Sequence, residues 1–89
     1  MEKINTEVIT PNLCKAARAL LGWKQEELSR KSGVALSTIG FFETSTTTPQ
    51  QRTLRDIRKA FEEAGIGFKD SKDGVGVYLA RRTEEKNEE

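Results

Sequence analysis

Eighty-nine residues leave room for one small domain and exclude a two-domain enzyme. Fifteen Lys plus Arg stand against fourteen Asp plus Glu, a formal charge of +1, and there is no His, which removes the usual general base, every His-containing metal site and the Ser/His and Cys/His nucleophile pairs. The single Cys14 forms no internal disulfide, no apolar run approaches the roughly 18 residues of a membrane span, and residues 1–10 are too polar for a secretory leader. The expectation is a cytoplasmic, non-enzymatic chain that needs no cofactor and no metal and meets no membrane.

Near-neutrality hides an asymmetry. Residues 1–59 carry a net +4 and residues 60–89 a net −3, while residues 10–59 alone hold nine basic against four acidic side chains. A basic front and an acidic rear fit a module that faces nucleic acid and trails a solvating tail.

Residues 1–9 lack periodicity and read as an N-terminal arm. Thr10-Pro11 pairs an N-cap with proline at the first helical position, and Leu13, Ala16, Ala17, Leu20 and Leu21 then form an apolar stripe at helical spacing. Gly22 ends this helix. Trp23 is expected to staple it to the next, which covers about residues 25–32, with Glu26 and Glu27 at its dipole-favoured first turn and Gly33 at its end. A third helix spans roughly residues 36–44, with Ile39 and Phe42 inward. Thr48-Pro49-Gln50-Gln51 reads as a capping box that opens a fourth helix to Ala64, with Leu54, Ile57, Phe61 and Ala64 inward and Arg55, Arg58 and Lys59 on the outer face, either simply solvated or functional. After Gly65 the period switches to alternation: Ile66 and Phe68, then Val75, Val77 and Leu79 beyond a loop ending in Asp73-Gly74, which is a β-hairpin. Residues 81–89 are charged, lack apolar anchors and are expected to be disordered. The fold class is therefore mainly α: a compact four-helix, lambda-repressor-like helix-turn-helix domain over residues 10–65, followed by a C-terminal β-hairpin over 66–80.

Two short helices joined by a three-residue turn containing Gly form the unit whose second helix enters a DNA major groove. Its positional demands are met by apolar Leu28, Val34, Ile39 and Phe42, by small Ser29 at the helix contact and by Gly33 in the turn. Ser32 stands where an apolar residue is more usual. Over Leu13 to Phe61 the chain resembles the Cro and phage-repressor (XRE-type) helix-turn-helix family, through the segments AARALLGWKQEELSRKSGV, STI and TLRDIRKAFEEAGI. The resemblance implies that Gln25 contacts phosphate and a base, that Lys24 touches backbone phosphate, and that Leu36, Ser37, Thr38 and Phe41 face base edges. It also implies a structural pair between Arg18 and Glu43, and a homodimer on double-stranded DNA.

Departures from the family pattern sharpen the expectation. Relatives often carry Arg, Gln or Asn where this chain has Leu36, Gly40 and Phe41, so the bidentate readers of guanine and adenine are missing and thymine methyls and groove shape become the natural partners. Lys24 and Ala35 replace helix-capping Ser or Thr. In the loop, hydroxyls and backbone N–H groups, with Thr44, Thr46 and Thr47 foremost, are expected to bind phosphate without formal charge, and Arg52 adds a charge. Cys14 is expected to be a small, partly buried helix residue.

An isolated hairpin is marginal in water. It either folds back on the helices or pairs with a second chain, and the likeness to Cro, which dimerises through its C-terminal strand, favours a dimer built from Ile66, Phe68, Val75, Val77 and Leu79. The leading expectation is a sequence-specific repressor on a palindromic operator. The rival is an antitoxin or anti-activator whose β segment or acidic tail grips a regulatory or toxin partner protein, with DNA binding secondary.

Overall fold

The computed structural model describes residues 9–81. The expected arm, apart from Ile9, and the expected charged tail, apart from Arg81, lie outside the described residues. Four helices come first, α1 (Pro11–Leu21), α2 (Gln25–Ser32), α3 (Leu36–Glu43) and α4 (Gln51–Glu63), followed by strands β1 (Ile66–Ser71) and β2 (Gly74–Leu79).

Thr10 caps α1, its side-chain oxygen accepting from the Leu13 amide at 3.2 Å, with Pro11 next in line. The buried face of α1 differs from the expected stripe. Cys14 and Ala17 are buried, Leu13, Arg18 and Leu21 are half-buried, and Ala16 and Leu20 are exposed. The helix is rotated to bring the Arg18 guanidinium inward, a polar demand that a count of apolar residues does not register. Ile9, read as part of the arm, is fully buried and belongs to the core with Leu28, Ile39, Phe42, Ile57 and Phe61.

The turn from α2 to α3 explains Ser32. Its Oγ accepts from the Val34 amide at 3.1 Å, while Ser29 Oγ donates to the Val34 carbonyl at 2.6 Å, and Gly33 takes φ +78°. Neither Lys24 nor Ala35 makes a side-chain cap; for Ala35 nothing in the structure replaces the lost cap.

No capping box forms at Thr48. Helix α4 begins two residues later, behind an extended Gln50 (ψ 156°) that makes no side-chain cap. Residues 47–50 are neither helix nor strand and carry the chain across from α3 to α4, leaving Thr48 too far upstream to reach the first free amides of α4. The inward stripe of α4 is as expected for Leu54, Ile57 and Phe61, with buried Ala60 added, while Ala64 is half-buried at the C-cap.

Two expected surface or local roles change. Trp23 stacks on Phe61 at 5.8 Å between ring centroids, tying the α1–α2 turn to α4 rather than only to α2. Arg58 is not on a solvated face: its guanidinium lies 4.4 Å from the centroid of the Phe68 ring, and its Nε donates to Glu62 Oε2 at 2.8 Å.

The strands pair antiparallel in the register Ile66↔Leu79, Phe68↔Val77 and Asp70↔Val75, around a two-residue turn at Lys72-Asp73. The hairpin docks within its own chain, β2 against α1 and β1 against α4. Ile66 is buried, Phe68 and Val77 pack against the core, and Val75 and Leu79 remain exposed. On the opposite face the Tyr78 ring lies across Gly67, where any Cβ would overlap it.

Candidate nucleic-acid interface

Helix α3 points Ile39, Phe42 and Glu43 inward, all buried. One helical turn sweeps about 100° per residue, so Ser37, Phe41 and Thr44 share the outward side, with Leu36 and Gly40 beside them. Thr38 is turned to the flank and half-buried. Leu36 and Phe41 are 42% and 51% exposed, large apolar groups standing free on a polar surface.

This helix is held from behind by a single carboxylate. Glu43 is 4% exposed. Arg18 grips it as a fork, Nε donating to Oε2 and Nη2 to Oε1, both at 2.8 Å, while Nη1 donates to the Trp23 carbonyl at 3.0 Å. Cys14 Sγ donates to Oε2 at 3.0 Å and Gln25 Nε2 to Oε1 at 2.9 Å. Four donors from α1 and α2 thus meet one acceptor on α3. Burial works to raise the Glu43 pKa, but the bonds from Arg18, Cys14 and Gln25 outweigh it and hold the carboxyl below its ordinary range. Burial, with the Glu43 bond and charge added, drives the Cys14 thiol far up, so it stays a protonated donor.

Cys14 departs from the expectation, and Gln25 gains a partner within the chain. Cys14 is wholly buried and hydrogen-bonded rather than a partly buried filler. Gln25 is half-buried with its amide committed to Glu43. A carboxylate only accepts, so the NH₂ end must face Glu43 and Oε1 faces away, toward Gly40, where a Cβ would lie 3.8 Å from it. The sequence signal for this hub was the i, i+4 spacing of Cys14 and Arg18 on one face of α1.

Beyond α3 the loop is built on backbone bonds. The Phe41 carbonyl accepts from the amides of Thr46 at 2.8 Å and Thr47 at 3.4 Å and from Thr44 Oγ1 at 3.2 Å. Ser45 N–H donates to the Phe42 carbonyl at 3.0 Å with Ser45 at φ +63°, a Schellman closure in which serine takes the place usually held by glycine. Thr44 and Thr46 share a hydroxyl bond of 2.7 Å. The structure therefore brings Gln25, Gly40, Phe41, Thr44, Thr46 and Thr47 into one connected region. Lys24 is exposed immediately before α2, and Arg52 is exposed in the first turn of α4, joined to α3 only through the loop.

A family model described as helix-turn-helix matches residues 15–64, more than half of the chain. The chain belongs to the Cro/C1-type (XRE) helix-turn-helix family. None of the curated proteins matches it. The matched stretch runs from the start of the Arg18 face of α1 to the end of α4 and leaves the hairpin outside it. As a member, the chain is a DNA-binding transcription regulator of the XRE type, with α2 and α3 as its helix-turn-helix. No helix among the described residues is long and apolar enough to cross a membrane.

Proposed function

We propose that this regulator is a cytoplasmic repressor that occupies a palindromic operator as a homodimer, with α3 in the major groove. The observation that carries the reading is the rigid outward presentation of α3. Ser37, Phe41 and Thr44 face away from a core that grips Glu43 with four hydrogen bonds, so the reading face is ordered before DNA arrives. Lys24, Arg52 and the exposed hydroxyls of Thr44, Thr46 and Thr47 are suited to phosphate, which fixes register without reading sequence, whereas the amides of these threonines, expected to join them, are spent on the carbonyls of Gly40 and Phe41. The net positive charge of residues 10–59 draws the module to the duplex.

Groove geometry and an exposed strand edge support a dimer. One helix reads only a few base pairs, whereas a two-fold pair spans half-sites about 34 Å apart, one helical turn. The hairpin offers an unpaired strand edge with exposed Val75, Tyr78 and Leu79; Ile66, buried in its own protomer, serves the hairpin's attachment and not the contact.

A randomised-site selection followed by affinity measurements at several salt concentrations tests the reading. A palindromic site and a slope of log K against log salt of about −0.9 per neutralised phosphate are expected, reduced by about one unit in Lys24→Ala or Arg52→Ala. A slope near zero with no selected sequence would overturn DNA binding by this face.

A further inference from the structure

Gly40 sits on the outward side of α3, and no packing demand keeps it a glycine. A Cβ there would meet only Gln25 Oε1, at the ordinary contact distance of 3.8 Å. Glycine inside a helix weakens it relative to alanine, and its bare backbone leaves room for something outside the chain to come close. On either side of this bare patch stand Leu36 and Phe41, the two exposed apolar side chains of the helix. Phe41 is fixed at its base, its carbonyl tied to Thr44, Thr46 and Thr47, while its ring has no aromatic or cationic partner among the described residues. No amide or guanidinium side chain occurs anywhere in Leu36–Glu43.

Major-groove base edges offer one apolar group, the C5 methyl of thymine. Cytosine methylated at C5 carries the same group at the same position. Gln25 adds a second criterion, because its Oε1, turned away from Glu43 and toward Gly40, is an acceptor. The amino donor that it would take is present on adenine N6 in an A·T pair and on cytosine N4 in a G·C pair. A methylated G·C pair and an A·T pair therefore offer both a donor and a methyl, and an unmethylated G·C pair offers the donor alone.

We infer that α3 reads pyrimidine C5-methyl groups against Leu36 and Phe41, so that thymine and 5-methylcytosine are both accepted and binding responds to cytosine methylation of the site. The inference rests on the DNA-binding reading above, and its test separates the two.

The duplex returned by selection is prepared with thymine, deoxyuracil, cytosine or 5-methylcytosine at each pyrimidine under α3, and affinities are measured by fluorescence anisotropy. Deoxyuracil should weaken binding about fourfold per methyl removed, the effect of withdrawing roughly one buried methylene. 5-Methylcytosine should bind tighter than cytosine at the same position by a similar factor. In Phe41→Ala both ratios should fall toward one with the salt slope unchanged, while Phe41→Leu, which keeps an apolar group, should retain part of them. Equal affinity for thymine and deoxyuracil at every position, with salt-dependent and sequence-specific binding intact, would overturn the methyl reading and leave the DNA reading standing. Loss of sequence preference together with a flat salt dependence would overturn both.

Discussion

A carboxylate as buried as Glu43 must draw its stability from donors, and here they come from three side chains on two other helices. Removing it leaves the Arg18 guanidinium, whose side chain is only 20% exposed, without its carboxylate partner and with only the Nη1 bond to the Trp23 carbonyl. Glu43→Ala should therefore lower stability by about 3 kcal/mol, toward the lower end of the range for broken buried pairs because Arg18 keeps some water. The folded-state pKa of Glu43 lies below its ordinary value of 4.5. Its stabilisation is thus complete above that value and is lost as the pH falls through the lower, folded value. Urea midpoints measured between pH 7 and 3 should fall at the acid end, and fall less steeply in Glu43→Gln. Sequence reading found the Arg18–Glu43 pair through family likeness but not its other two donors. A cysteine reads as a small hydrophobe, and the family likeness points Gln25 at DNA and gives it no partner within the chain, until a buried acceptor is placed between them.

Caps and periods made most elements legible, and the failures have identifiable causes. The boundaries of α2, α3 and the hairpin follow from Gly33, Gly65 and the change of hydrophobic period. The rotation of α1 did not, because Arg18 takes an inward place that apolar spacing assigned elsewhere. The start of α4 differs from the expected one because Thr48-Pro49 carries a local capping signal that the crossing from α3 overrides. Ile9 escaped notice because a single anchor has no period. The end of α3 holds its own prediction. Ser45 adopts a left-handed conformation at φ +63°, which costs a non-glycine residue about 1 to 2 kcal/mol. Glycine removes that strain but adds chain entropy worth about 0.5 to 1 kcal/mol to the unfolded state. Ser45→Gly should stabilise the protein by about 0.5 kcal/mol net, a small rise in thermal midpoint by circular dichroism.

At the scale of the whole molecule, the hairpin faces two ways. Its root is fused to the core: Ile66 is buried, Arg58 covers Phe68, and the Ala80 amide donates to the Gly65 carbonyl at 2.8 Å. Its tip and outer edge carry the exposed Val75 and Leu79. The sequence left open whether the hairpin docks within one chain or between two, since Val, Phe and Leu in alternation suit either; the structure places its root within one chain. A charge at the tip should then separate assembly from folding. Val75→Glu is expected to keep the melting temperature, to sediment as a monomer, and to lose affinity for a full palindrome while keeping that for a half-site. A variant that stays dimeric would move the contact away from β2.

Helix α3 has a glycine at its middle, no side-chain cap at its start and only eight residues, far fewer than an isolated helix needs in water. Its shape is borrowed from α1 and α2 through Glu43. The segment proposed to meet DNA consequently has no independent existence as a helix, and a chain that opens even locally around Glu43 is expected to lose the proposed reading face at once. Occupancy of a site would then count intact molecules alone: damaged or partly unfolded copies drop out of competition for DNA without any separate mechanism to remove them.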